Sequence, residues 1–296
     1  MNAIQLPSYA KINLGLLIKG KRADGFHEIE TILQQISLCD NIKLTLTESS
    51  RISLQCSDGA LPRDASNLCV QAAILLKDRT GYEQGVDIAL EKNIPVGAGL
   101  GGGSSNAAVV LLGLNKMLNL KLSAQQLEEM AATLGSDIPF FIRGGTCLAT
   151  GRGEILQQVS LDLSSKTVLI VFPGIPISTK RAYENLDLTK RKKYLTLSSF
   201  KEKKINDVEF FKVIRNDFEE SVFPSFPALG HIKRQMNEHH AAFAGLSGSG
   251  SALFALFGKR RAAEKARNAL EEGFAVFVAE FIHWGYAQIN SAMQVR

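Results

Sequence analysis

Pro95-Val96-Gly97-Ala98-Gly99-Leu100-Gly101-Gly102-Gly103-Ser104-Ser105-Asn106 places five glycines in the seven positions 97–103. Without Cβ atoms, such a run can turn backbone N–H groups toward an anion and let it approach closely. The alternating segment Val86–Leu90 precedes the run and reads as a strand, and an apolar helix over roughly Ser105–Leu118 follows it. That helix would aim its N-terminus, the positive end of its dipole, at the same spot. The hydroxyls of Ser104 and Ser105 would join the cradle. A strand, a glycine loop and a helix start together make a phosphate site. A glycine-rich hinge is the plainer alternative, but a hinge needs neither the two serines nor the helix start.

The familiar phosphate motifs do not fit. Gly97, Gly99 and Gly102 satisfy GxGxxG, a weak pattern alone. A dinucleotide site also needs a carboxylate about twenty positions on, where this chain has Asn119-Leu120-Lys121-Leu122. Neither Gly20-Lys21-Arg22 nor Gly258-Lys259-Arg260 supplies the Gly-Lys-Ser/Thr of a Walker loop, and the HRD and DFG of protein kinases are absent.

Outward from the loop, the first half mixes strands and helices. Ser8–Gly20 alternates and reads as a strand, Ala23-Asp24-Gly25 as a turn, and the run from His27 as a second β-rich segment. Asp40-Asn41 predicts another turn before the strand Ile42–Leu46, with a short strand at Ile52–Gln55. Asn67 or Ser66 would cap a helix that stops at Gly81, and Ser123 would cap one that stops at Gly135. A break is expected over 151–165. Beyond it come the strand Thr167–Phe172, a helix capped by Thr179, helices around Asp207–Glu220 and Ala228–His239, and the apolar run Ala252–Phe257. A helix over Arg261–Leu270 and terminal strands follow. The class is α+β with two domains.

Composition narrows the function. The 296 residues are 45% apolar and 21% charged, values of a globular chain with a real core. The apolar stretches Ala107–Leu118 and Val168–Phe172 are too short or too interrupted to span a bilayer, and the N-terminus lacks the basic region of a signal peptide. We therefore expect a cytoplasmic protein with no membrane partner. The net charge of +5 favours acidic partners such as phosphorylated metabolites, although much of the excess lies in the lysine-rich stretch Lys180–Lys204. No aromatics interleave there to stack on bases, so no nucleic-acid partner is expected. Cys39, Cys56, Cys69 and Cys147 stand far apart and read as reduced thiols. His27-Glu28-Ile29-Glu30-Thr31 misses the HExxH zinc pattern at its last position.

Three further segments carry chemistry-bearing residues. Pro7-Ser8-Tyr9-Ala10-Lys11-Ile12-Asn13-Leu14 sets Lys11 and Asn13 at alternate strand positions; an edge strand with polar residues turned outward is the bland explanation. Gly135-Ser136-Asp137-Ile138-Pro139 holds a lone carboxylate in an apolar turn, and taken alone it would read as a cap or turn aspartate. Gly245-Leu246-Ser247-Gly248-Ser249-Gly250-Ser251 is either a second anion loop or a tight turn.

Taken together, Lys11 in PSYAKINL, the PVGAGLGGGSSNA loop and GLSGSGSALF resemble the three motifs of the GHMP small-molecule kinase superfamily. KRADGFHEIETI and TLGSDIPFFIRGG are similar to its branch acting on 4-diphosphocytidyl-2-C-methyl-D-erythritol, in the non-mevalonate route to isoprenoids. The likeness covers nearly the whole chain and is weakest across Lys190–Glu209. It implies an α+β, two-domain GHMP kinase fold: a ribosomal-S5-like, ATP-binding domain over 1–155 and a ferredoxin-like domain over 156–296. ATP, with magnesium as its counter-ion through ligands left open, and the acceptor would meet between them. The γ-phosphoryl would pass to the acceptor's 2-hydroxyl. Lys11 and Asp137 match the catalytic pair, and Pro95–Ser105 the ATP-phosphate loop. Asn67, Lys92 and Asn106 align with positions near the nucleotide. Asn13, Phe26, His27, Thr179 and Tyr183 align with positions that hold the acceptor. Phe26 and Tyr183 would sandwich the cytosine while His27 reads its polar edge. Relatives carry Tyr at the first of these aromatic positions and Phe at the second; stacking survives both exchanges, but a hydroxyl contact at position 26 does not. The state would be monomer or homodimer. A homoserine, mevalonate or sugar kinase would share the loop but not RADGFH, and an S5-like nucleic-acid binder would not need Lys11 and Asp137 together.

Overall fold

A computed structural model describes residues 2–186, 196–197, 210–211 and 214–283. Most of the lysine-rich segment, Lys190 to Lys204, lies outside the described residues. The first half is built on two long antiparallel strands, β1 (Ala3–Lys21) and β2 (His27–Thr47). β2 is the spine. Asn41–Thr47 also pairs with β4 (Gly85–Glu91), and Ile29–Gln34 with β5 (Thr146–Gly151). β3 (Ile52–Cys56) runs parallel to β4, and β6 (Ile155–Gln158) antiparallel to β5, which completes a six-stranded sheet.

Both faces of this sheet are covered, so its alternation sorts apolar residues between two cores rather than between core and water. Leu6, Leu33, Ile42, Leu44, Val86 and Ile88 face a layer made by α1 (Leu68–Thr80), α2 (Gly102–Met117), α3 (Ala124–Ala132) and α4 (Ile138–Arg143). Ala10, Ile12, Leu14, Ile32, Ile36 and Leu148 face the second sheet instead.

That second sheet is antiparallel, in the order β10-β7-β9-β8. Its strands are β7 (Thr167–Phe172), β8 (Phe243–Leu246), β9 (Leu253–Phe257) and β10 (Ala275–Ala279). Val168, Ile170, Phe254 and Leu256 pack inward against the first sheet. Leu169, Val171, Leu253, Ala255 and Phe257 pack outward against α5 (Thr179–Glu184), α6 (Glu219–Ser225), α7 (Pro227–Glu238) and α8 (Arg260–Leu270). The layers run helix, sheet, sheet, helix. Backbone bonds also join the halves: Ser37 N–H donates to Glu280 O at 2.8 Å, Ile282 N–H to Gln35 O at 3.0 Å, and Leu16 N–H to Arg215 O at 2.8 Å.

Several boundaries differ from the sequence reading. Asp40-Asn41 makes no turn: β2 runs through it, because Asp40 is buried and its carboxylate takes the N–H groups of Asn93 and Ile94. Asn67 caps α1 through Cys69 N–H and Gly81 ends it in the left-handed region, as expected. Ser123 caps α3 with a full capping box, but the C-cap is Thr133 rather than Gly135. Ser178, not Thr179, caps α5, which leaves the Thr179 hydroxyl to meet Ser249 Oγ at 2.9 Å. Asp207 and Val208 lie outside the described residues, and α6 begins only at Glu219, since Leu16 bridges Asn216 in a β-like contact.

Candidate active site

The face of β1 opposite Ala10, Ile12 and Leu14 carries Lys11 and Asn13, both almost fully buried. They are therefore not the outward polar residues of an edge strand. The Lys11 ammonium donates to Asn13 Oδ1 at 2.6 Å and stands 3.6 Å from Asp137 Oδ2. Asn13 Nδ2 donates to Thr31 Oγ1 at 2.9 Å. Asp137 occupies the N-cap of α4 but makes no cap hydrogen bond. Aspartate is a favoured cap, yet this one spends its carboxylate on Lys11. Its side chain is 41% exposed and faces an open cleft.

The glycine loop passes beside this pair, and Lys11 N–H donates to Leu100 O at 2.9 Å. Gly97, Gly99 and Gly101 all have positive φ, between +68° and +78°. A Cβ on Gly99 would lie 2.2 Å from Ser247 O, and one on Gly101 2.7 Å from Phe141. The loop is thus glycine-rich partly because the protein packs hard against it. The second glycine segment is its clamp: Ser247 Oγ donates to Gly99 O at 3.0 Å and Ala252 N–H to Ala98 O at 3.0 Å. Helix α2 starts at Gly102, and the N–H groups of its first turn have no partner within the helix.

The loop separates two recesses. One is a cleft of about 900 Å³ lined by Lys11, Asn13, Asp137, Thr179, Tyr183 and Ser249 among others. The other, of about 360 Å³, is lined by Asn67, Lys92, Pro95 through Ser104, and Asn106. Gly99 and Gly101 border both. A group bound in the smaller recess therefore reaches the Lys11–Asp137 pair across one strand of loop. Asn106 is 2% exposed, and its Oδ1 is a buried acceptor with no hydrogen-bond partner. Such an orphan fits a ligand donor.

The predicted nucleotide residues converge here, with three refinements. Ser105 is fully buried and donates nothing to the cradle; its hydroxyl takes the Ser8 hydroxyl at 2.8 Å, so Ser104 alone lines the recess. Lys92 is already paired with Asp40 at 2.5 Å, its ammonium held close to Gly102. Asn67 uses its amide locally, accepting from Cys69 N–H and donating to Pro62 O.

At the far end of the cleft, the Tyr183 ring stacks on His27 at 4.4 Å with an interplanar angle of 13°, and meets Phe218 edge-on at 4.8 Å. Phe26 is 52% exposed, with the Arg152 guanidinium 4.9 Å over its ring. His27 lies on one face of Tyr183 and Arg152 on one face of Phe26. Burial, aided by the nearby Asp137 carboxylate, pushes the Tyr183 hydroxyl up to about 12, so it stays a protonated donor at neutral pH.

Comparison with known proteins identifies the family. The models for the GHMP kinases N terminal domain and the GHMP kinases C terminal match residues 67–145 and 199–276. A 4-diphosphocytidyl-2-C-methyl-D-erythritol kinase from Prosthecochloris aestuarii is 41% identical over 290 residues, covering 97% of this chain and 99% of the relative. The chain belongs to the 4-diphosphocytidyl-2-C-methyl-D-erythritol kinase family. A crystal structure of a kinase of that name, 32% identical, superposes with a TM-score of 0.80 over 94% of this chain and 99% of the other. The homoserine kinase of Cytophaga hutchinsonii shares the fold, with a TM-score of 0.73 over 96% of each chain, at only 20% identity. The chain is thus an ATP-dependent small-molecule kinase on the GHMP kinase fold. Among the described residues no helix is long and apolar enough to cross a membrane.

The sequence reading gave no site role to Thr31, Asp40 or Arg152, and it met Ser249 only as part of the second glycine segment. Thr31 carried no signal, because strand positions are read there by apolar alternation alone, and Asp40 was read as half of a turn. Arg152 follows Gly151 in a turn, and only the fold brings it to Phe26.

Proposed function

We propose that the protein transfers the γ-phosphoryl group of ATP to the 2-hydroxyl of 4-diphosphocytidyl-2-C-methyl-D-erythritol, a step toward isoprenoids. The observation that carries the assignment of roles is the Lys11–Asp137 pair. It lies beside the glycine loop in a cleft whose other end is aromatic. ATP would place its phosphates on the loop and the first turn of α2, near Lys92, with its nucleoside in the recess of Asn67 and Asn106. Asp137 would accept the hydroxyl proton, and Lys11 would hold the hydroxyl and the transferred group in line. Phosphoryl transfer asks chiefly for such positioning and charge stabilisation.

Asn13 and Thr179 would hold the sugar alcohol, and Phe26, His27 and Tyr183 the cytosine. Binding energy at that remote end places the hydroxyl at the reacting end. Magnesium would enter as the counter-ion of ATP. Among the described residues no group of three His, Cys, Asp or Glu side chains is set to hold a metal. The phosphates would therefore supply most of its ligands, and no step here is routed through it.

The division at 155 and 156 belongs to this reading, with Ile155–Gln158 at the seam, as do a cytoplasmic location, a monomer or homodimer, and no nucleic-acid partner. The decisive measurement is kcat/KM for the diphosphocytidyl acceptor against free methylerythritol, homoserine and mevalonate. Turnover of the first with little of the others is expected; equal values would return the protein to the general GHMP kinases.

A further inference from the structure

We propose that Thr31 is a positioning residue for phosphoryl transfer. Its hydroxyl anchors the NH₂ end of the Asn13 amide, and through it the place of the Lys11 ammonium beside Asp137. The inference rests on the role given to Lys11 and Asp137 above.

The argument is a count of protons. A threonine hydroxyl has one hydrogen to donate and lone pairs to accept with. Thr31 Oγ1 lies 2.5 Å from the carbonyl oxygen of Gly15, an acceptor only, so the one hydrogen is committed there. The register of β1 against β2 slips between Asn13 and Gly15, and Leu16 is the residue opposite Thr31. The bulge brings the Gly15 carbonyl within reach of the Thr31 side chain. Toward Asn13, 2.9 Å away, Thr31 can offer only a lone pair. The amide must therefore present its NH₂ to Thr31 and its oxygen to the other side. There Lys11 Nζ meets Asn13 Oδ1 at 2.6 Å.

The terminal torsion of an asparagine is soft and roughly two-fold, so its partners decide which way it points. Were the amide reversed, an NH₂ would face an ammonium and neither could accept. Lys11 would then leave the spot 3.6 Å from Asp137 Oδ2. All three relay residues are nearly fully buried. A threonine in a strand often does nothing but fill a pleat; here both bonding functions of its hydroxyl are engaged, one on the Gly15 carbonyl and one on the amide that holds Lys11.

The test compares Thr31→Val, which keeps the shape and removes the hydroxyl, with Thr31→Ser, which keeps the hydroxyl. With ATP and the diphosphocytidyl acceptor we expect Thr31→Val to lower kcat about 10–100-fold and leave KM for ATP within about twofold, the scale of a disturbed catalytic geometry. Thr31→Ser should stay near wild type. Added to Asn13→Ala, Thr31→Val should cause no further loss, because the residue it acts through is gone. Wild-type kcat in Thr31→Val, equal losses in the Val and Ser variants, or losses that multiply in the double variant would each overturn the inference. If Thr31→Val does not fold, Thr31→Ala takes its place in each comparison. An acceptor-independent readout separates this inference from the reading of function. In ¹⁵N-labelled protein the Asn13 side-chain NH₂, which donates to Thr31 Oγ1, should exchange its protons with water faster in Thr31→Val and at the wild-type rate in Thr31→Ser; unchanged exchange in Thr31→Val would overturn the inference whatever the acceptor proves to be.

Discussion

Asp137 stands at the start of a helix and caps nothing. The helix start does not depend on it, since Ile138 N–H donates to Gly135 O and Pro139 has no N–H, so replacing this carboxylate should leave the fold intact. We expect Asp137→Asn to keep its Tm and its affinity for ATP while kcat falls by about 10²–10⁴, the usual worth of a positioned base. Steady-state kinetics beside a thermal melt will check this, and a near-normal kcat would remove Asp137 from the role of base. Asp40 presents the opposite case. It is fully buried, accepts the N–H groups of Asn93 and Ile94, and pairs with Lys92. Asp40→Ala strands an ammonium and two amides, and we expect a loss of about 3–5 kcal/mol in urea unfolding. Asp40→Asn, which keeps an acceptor for the amides, should lose distinctly less.

At the scale of elements, the glycine loop divides into positions that serve the fold and positions that serve a ligand. Gly101 has φ +70° and no room, since a Cβ would sit 2.7 Å from Phe141 and 3.0 Å from Lys11. Gly101→Val is therefore a folding lesion rather than a clean probe of the phosphate cradle. Gly103 is exposed, lies in the first turn of α2, and its Cβ would meet only Leu68 at 3.6 Å. Gly103→Ala should hold or raise the Tm, since alanine is favoured over glycine in a helix by up to about 1 kcal/mol. It should also raise KM for ATP, because the new methyl stands where the phosphates would lie. An unchanged KM would move the cradle to Gly248–Ser251.

The same contrast explains what the sequence made legible. The loop, α2, the Asn67 and Ser123 caps and the alternation of β7 and β9 are local patterns, readable because propensity and packing agree. Asp40-Asn41 misled because a turn-forming pair lies inside β2, where bonds from residues 92–94, fifty positions away, override local preference. Ser105 misled for a like reason, its hydroxyl being claimed by Ser8 from β1. Lys11 and Asp137 were visible as members of a motif, but their approach to 3.6 Å was not, because it depends on how α4 packs against α2 and the sheet.

At the scale of the whole molecule, the cleft has a reacting end and an aromatic end. Phe26 is half exposed, so Phe26→Ala should leave the Tm unchanged. We expect it to lower kcat/KM for the diphosphocytidyl acceptor by about 1–3 kcal/mol, the scale of one base–aromatic stack. Any residual turnover of free methylerythritol should not change. Equal effects on both acceptors would show that Phe26 does not touch the base. The two sheets share one inner core, and the tail closes it: Ser37 and Gln35 of β2 bond to Glu280 and Ile282, and Phe281 packs in the same cluster as Ile36. A ribosome adding about 5–20 residues per second reaches that tail on the order of tens of seconds after it has made β2. Until β8 to β10 are made, one apolar face of the first sheet lacks much of its cover. We expect the nascent chain to be a client for holding chaperones through much of its synthesis, with stalled chains ending before residue 240 bound to them and full-length chains not.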